Sequence, residues 1–292
     1  MSRLPLTLLC LAALLAPAAG LARDKHVLWS VQGRHNTVYL LGSIHLLRPQ
    51  DGGLPEAAQR AYEDAEQLVM EIDLDDPGET DPMAMLEVMQ RQALLPDGQS
   101  LRGVLGSDYE SLNRRAQQAG LDLALLDRFA PWMVATTLLQ LELARRGFSP
   151  EFGIEHVLAR RAAGDEKPVQ GLETTAQQLE LLAGMPMPMQ KRFLVMTLDE
   201  SANLDREIGE LVEAWTEGDT ATLAKLLSDE FDEFPDLYRR LTVDRNRAWA
   251  GRLADLLDDR DDYLVVVGAL HLVGENSVVD LLEQRGYEVV QQ

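Results

Sequence analysis

The chain has 292 residues, with 48 acidic against 27 basic side chains and a formal net charge of −21 at pH 7. Nucleic acid is excluded as a partner, because a phosphate backbone is held by clustered Lys and Arg and no basic face occurs here. The acidic residues are spread along helix faces, where they favour solubility and attract cations, and the single cysteine rules out a disulfide framework.

Residues 1–22 have the layout of a secretory signal: Arg3 supplies a positive start, Leu6 to Leu15 is apolar, and small residues follow up to Ala22. The apolar run is shorter than the ~20 residues that span a bilayer. The expectation is a mature protein that is periplasmic or secreted, with no stable membrane insertion after signal removal. Cys10 lies inside the signal, so the mature chain carries no thiol. Residues 23–292 are expected to form a single domain.

His26 to Val31, a polar turn at Gly33 to Asn36, and Val38 to His45 read as a hairpin. The second strand ends in Gly42-Ser43-Ile44-His45, a Gly-x-x-His pattern. Leu54-Pro55-Glu56 opens a helix, with proline near its first turn. Gln67 to Asp73 is a second apolar strand, joined to the first as in a βαβ unit, and it delivers Glu71. A carboxylate there is paired with an arginine, hydrogen-bonded or bound to a metal, because leaving it alone costs several kcal/mol.

Helical periodicity then dominates from Pro82 to about Arg146, with Pro131 starting the helix that carries Trp132. A further helix begins near Gly153-Ile154-Glu155. His156 follows Glu155 but has no strand before it to aim it. Lys167 to Thr174 reads as a third short strand with Glu173 at its exit, also a favourable place for a carboxylate before a helix. Thr174 to about Arg260 is helical, apart from a Met-rich stretch (Met185, Met187, Met189, Met196) expected to be loop and core filler. Within that region Arg245 and Asn246 either reach an anionic or carbonyl group or belong to a solvated helix face.

Leu264 to Gly268, followed by Ala269-Leu270-His271, repeats the design of the first motif. Gly274 to Arg285 reads as a helix and Tyr287 to Val290 as a last strand. Continuous apolar runs of this kind form strands buried on both faces, mostly in parallel sheets. The fold class is therefore α/β with an α+β-like character: a central, mainly parallel sheet with a large helical insertion over about residues 80–260. Ligands in such sheets bind at the carboxyl ends of strands, which is where both Gly-x-x-His motifs place their histidines.

The two Gly-x-x-His motifs, the Val69-Met70-Glu71 strand, Gly153-Ile154-Glu155, Lys167 to Thr174 and Arg245-Asn246 together resemble the TraB/GumN family over nearly the whole mature chain. That family is related to the Tiki proteins, which are regarded as metal-dependent proteases using Mn²⁺ or Co²⁺. The resemblance implies an α/β core and a site made from the two motifs and a glutamate, with peptide bonds as the target. Glu155 stands where the family more often has Asp.

Read as chemistry, His45, His271 and Glu71 form a His₂Glu set suited to a divalent ion such as Mn, Co or Zn. Glu71 is either a ligand or the general base, and Arg245 and Asn246 steady an oxyanion or a substrate carboxylate. Glu155 and Glu173 are further candidates. The expected function is hydrolysis of a peptide or protein substrate. Two alternatives use the same pocket: a non-catalytic periplasmic protein that binds a peptide or assists polysaccharide export, and a metal-free esterase.

Overall fold

The computed structural model describes residues 25–51, 53–73, 75–200, 204–231 and 234–292. The segment expected to be a signal lies outside them. The hairpin forms as expected, from β1 (Leu28–Gln32) and β2 (Thr37–Ser43), with Leu28 opposite Leu41 and Gln32 opposite Thr37. Its turn is fastened by Asn36, a buried side chain that donates to the carbonyls of Leu256 and Asp261 at 2.8 and 2.7 Å.

The sheet has six strands in the order β4-β3-β5-β2-β1-β6, where β3 is Gln67–Met70, β4 Val169–Gly171, β5 Tyr263–Gly268 and β6 Val289–Gln291. The four strands β4, β3, β5 and β2 run parallel, and β1 is antiparallel to both of its neighbours. The late strand β5 thus lies between the two early ones. It is buried from Tyr263 to Val267, as a run of Leu264 and three valines between parallel neighbours demands. The consequence for function is positional: the carboxyl ends of β4, β3, β5 and β2 come out along one edge.

Two apolar clusters hold the molecule. The sheet cluster takes in the strands and the buried faces of the helices Glu56–Asp64, Ile154–Asp165 and Asp244–Leu256. A second cluster joins helices of the middle of the chain through Leu101, Tyr109, Trp132, Leu138, Leu194 and Leu198. Between them the chain returns to the sheet through Ile154–Asp165 and β4.

The Met-rich stretch is a loop only around Met185, between the helices Thr175–Ala183 and Met187–Glu200. Met187–Glu200 is a helix, because methionine is a good helix former and Pro188 sits in the first turn, where its missing N–H removes no helical bond. The core-filling half of that reading stands, since Met185 is buried and Met187, Met189 and Met196 pack on the second cluster. The last helix is also shorter than its apolar pattern, Val278–Gln284. Gly274 and Asn276 turn the chain with positive φ before Ser277 caps it.

Candidate functional site

Each of the four parallel strands ends beside a polar residue of the site. His45 follows β2 by two residues, Glu71 follows β3 directly, Glu173 follows β4 by two, and His271 closes a single 3₁₀ turn after β5. Gly268 stands among them. A Cβ built on it would lie 3.3 Å from Glu71 Oε1, 3.5 Å from His271 Cδ2 and 3.6 Å from His45 Nε2, so the glycine of the second motif keeps open the spot on which three side chains converge. Its own N–H donates to Glu71 Oε1 at 2.8 Å. The glycine of the first motif serves close packing instead: a Cβ on Gly42 would be 2.4 Å from Val27 Cγ1.

The helix Asp244–Leu256 delivers Arg245 and Asn246 to the same edge. Arg245 Nη2 donates to Glu71 Oε2 at 2.6 Å, Nε to both oxygens of Glu173 at 3.1 and 3.0 Å, and Nη1 to the Leu241 carbonyl at 3.0 Å. Nη1 also stands 3.0 Å from His271 Nε2. Because arginine can only donate, Nε2 accepts and the ring proton is on Nδ1, which faces Asn246 Oδ1 at 2.7 Å. Asn246, wholly buried, has its amide orientation set by a bond from Nδ2 to the Asn276 carbonyl at 2.9 Å. His271 is thus held in one tautomer from both sides.

His45 is held differently. Its Nδ1 pairs with Glu155 Oε1 at 2.6 Å, and 59% of the side chain is open to solvent. Glu155 also accepts from Ser43 Oγ, while its Oε2 is buried with no hydrogen-bond partner among the described residues. The helix that carries Glu155 is docked tightly onto the His45 loop. Ile154 N–H donates to the Ile44 carbonyl at 3.2 Å, and a Cβ on Gly153 would lie 2.1 Å from the His45 carbonyl oxygen. His156 is exposed and takes no part.

The two histidines titrate in opposite directions. For His45, the crowding around the ring works against the charge although one face is open, but the Glu155 carboxylate, aided by Glu71, pushes the imidazole up to about 9. For His271, burial and the nearby Arg245 outweigh Glu71 and push it down to about 4. Glu71 would be raised by its burial, yet its cationic neighbours and the Gly268 N–H hold it ionised, down to about 2.

The seven residues singled out from sequence lie at one sheet edge in two groups: Glu71, Glu173, Arg245, Asn246 and His271 share one hydrogen-bonded network, and the His45–Glu155 pair stands beside it across Gly268. The matched pattern also reaches past these residues to almost the whole described fold. The chain belongs to the TraB/PrgY/gumN family. The family match runs over residues 27–291. Among its relatives, the uncharacterized protein YbaP of Shigella flexneri is 26% identical over 266 residues, covering 89% of this chain and 94% of the relative. The metalloprotease TIKI2 of Xenopus tropicalis is 25% identical over 320 residues, covering 90% of this chain and 59% of the relative. The metalloprotease TIKI1 of Homo sapiens is 23% identical, covering 90% and 61%. No solved structure matches the chain.

This TraB/PrgY/gumN chain also uses residues that the sequence reading did not single out. Ser43 sits inside the first motif, where a serine signals nothing by itself. Gln178 donates to Glu71 Oε2 at 2.9 Å, and no pattern separates it from other helical glutamines. Trp249 donates to Glu173 Oε1 at 3.0 Å and lies tilted against the His271 ring, with centroids 4.6 Å apart. Its place four residues after Arg245, on the same helix face, was the available signal.

The donors fit a divalent ion in type: two imidazoles and a carboxylate approach the space left by Gly268. They do not yet stand as a ligand cluster. Among the described residues no three His, Cys, Asp or Glu side chains are grouped closely enough to hold an ion, because Arg245 lies against His271 Nε2 and Glu71.

Proposed function

We propose that the protein is an exported, metal-dependent hydrolase of peptide bonds, with His45, His271 and Glu71 as the groups that hold the ion. The observation that carries this reading is the convergence of the three side chains on Gly268 at one sheet edge. Kinship with proteins named as metalloproteases supports it. When bound, a divalent ion would lower the pKa of water and polarise the scissile carbonyl. The rest falls to the chain's own residues. Asn246 holds the proton of His271 on Nδ1, as the outer partners of ligating histidines do, which leaves the lone pair on Nε2, where Arg245 Nη1 now donates and an ion would have to take its place. Glu155 holds His45 by Nδ1, so that Nε2 is the nitrogen that would give up its proton to an ion. Glu71, ionised far below neutral pH, is too weak a base to take a proton readily and suits the ligand role. Arg245 keeps that carboxylate charged in a buried place.

The test is hydrolysis of a peptide library by the wild type, His45→Ala, His271→Ala and His156→Ala, each with added Mn²⁺, Co²⁺ or Zn²⁺ and with chelator. The two strand-end variants should lose metal uptake and activity together, since two remaining ligands seldom hold a catalytic ion. His156→Ala should behave as wild type. Full chelator-resistant activity in His45→Ala and His271→Ala would overturn the proposal. One observation favours a second reading, in which the pocket works without metal: Arg245 already supplies the positive charge between Glu71 and Glu173. Chelator-resistant hydrolysis by the wild type, or peptide binding with no product under any condition, would select it.

A further inference from the structure

Behind Glu173 the sheet edge opens into a slot of about 210 Å³ between the helices Thr175–Ala183 and Asp244–Leu256. Leu172, Leu181, Ala248 and Trp249 are its apolar lining, and Glu173, Gln177 and Arg252 its polar lining. It is a built feature rather than a surface dent. Arg252 Nη1 donates to the carbonyls of Gly171 and Leu172 at 3.0 and 2.7 Å, which fixes the floor. The Trp249 ring is locked by its bond to Glu173 and by the Arg245 guanidinium 4.5 Å from its centre.

The slot adjoins the site through two shared residues, Glu173 and Trp249, whose ring lies against that of His271. Glu173 lines it and is bonded by Arg245 Nε, and the same guanidinium reaches Glu71 and His271. Its volume is below the ~300 Å³ at which pockets for whole small molecules begin, so it suits one side chain and not a free ligand. No net charge of one sign calls for an ion there, since the lining holds one acid and one base. A lining of mixed apolar and polar groups matches a single aliphatic or aromatic side chain whose backbone remains outside.

We propose that this slot is a specificity subsite that takes one apolar side chain of the polypeptide substrate, close to the bond being cleaved. The substrate class is then polypeptides with a Leu-like or Phe-like residue at one fixed distance from the cut. This rests on the reading of the strand-end cluster as a hydrolytic site, and it adds the determinant of sequence choice to it. Ala248 is exposed on its helix, so Ala248→Phe fills the slot without entering the core, whereas Leu181→Ala widens it. Neither residue belongs to the His45, Glu71 and His271 cluster.

The experiment uses the full mature chain and blocked Gly/Ser hexapeptides with a single Leu, Phe, Ser or Asp, measured both by competition binding on chelated protein and by hydrolysis with metal. The wild type should favour Leu and Phe over Ser and Asp by about tenfold or more, the scale at which apolar pockets discriminate. Ala248→Phe should erase that preference while leaving the Ser peptide unchanged, and Leu181→Ala should move the preference toward Phe. No binding of any hexapeptide at millimolar concentration, no preference in the wild type, or a preference that survives Ala248→Phe would each overturn the subsite. The two proposals fail separately: selective binding without product leaves the subsite standing and removes the hydrolase, whereas hydrolysis without selectivity does the reverse.

Discussion

Arg245 is buried between two carboxylates and a neutral imidazole, with 12% of its side chain exposed against 9% for Glu71 and 13% for Glu173. The planar fork of an arginine can address three partners at once, and a lysine ammonium cannot reproduce that geometry. Arg245→Met should leave two buried acids without their cation, a loss of about 3–5 kcal/mol for breaking a buried pair from one side, and Arg245→Lys should recover only part of it. Urea unfolding with chelator present measures this, and a loss below 1 kcal/mol for Arg245→Met would show that solvent already compensates Glu71. His271 contributes with the opposite sign. Its folded pKa is lowered to about 4 from 6.5, so between those values the unfolded chain binds a proton that the folded one refuses, and stability falls as pH falls from 6.5 to 4. Glu71 adds to this below its ordinary value of 4.5, because its folded pKa is depressed. In His271→Gln the loss between pH 6.5 and 4.5 should flatten, as thermal melts of chelated protein across that range would show. An unchanged slope would mean that another group carries the titration.

The elements around the site differ in how far their sequence foretells them. β5 is a run of apolar β-formers with no charge, and burial on both faces leaves such a run no other place in an α/β chain. The duplicated Gly-x-x-His pattern was visible because each histidine is tied to its strand's own register. The docking of the Ile154–Asp165 helix against the His45 loop was not, since it depends on tertiary contacts between residues more than 100 positions apart. Gly153 is where that docking can be tested. Its φ of −62° is available to any residue, so the demand for glycine is purely one of space, with the His45 carbonyl 2.1 Å from where a Cβ would stand. Gly153→Ala should therefore cost about 1–3 kcal/mol through forced displacement and shift the His45 loop. Gly251, inside the Asp244–Leu256 helix with nothing within 4 Å of its Cβ position, provides the contrast. Gly251→Ala should stabilise by about 0.5–1 kcal/mol. Thermal melts of both variants, with the His45 ring signals followed by NMR, check the pair, and equal effects would refute the steric account.

At the scale of the molecule, the sheet is closed from both ends of the chain. β1 lies between β2 and β6, His26 N–H donates to the Gln292 carbonyl at 2.7 Å, and Gln291 Nε2 donates back to the His26 carbonyl at 3.0 Å. The site repeats this arrangement, with His45 and Glu71 from early strands and His271 from β5 between them, so no continuous fragment can hold it. That is why paired motifs far apart in sequence pointed to one pocket, while partners such as Gln178 and Ser43, whose role depends on the assembled edge, carried no sequence signal. The same closure sets where the chain can be cut. The proposed signal ends by Ala22, ahead of the first residue that the sheet uses: Gly218, at φ +66°, is packed so closely on the Lys25 carbonyl that a Cβ there would be 2.1 Å away. Cleavage between about Ala19 and Arg23 keeps every contact of the hairpin among the described residues, and a chain starting at Arg23 should melt like the exported protein. A chain starting at Gly33 lacks β1, which strips β2 of its antiparallel partner and leaves β6 with none, so it should not fold cooperatively. N-terminal sequencing of protein from the native host, alongside melts of the two truncated chains, decides the matter. A mature protein that retains Met1, or a chain from Gly33 that melts like the longer one, would contradict this account of how the ends are used.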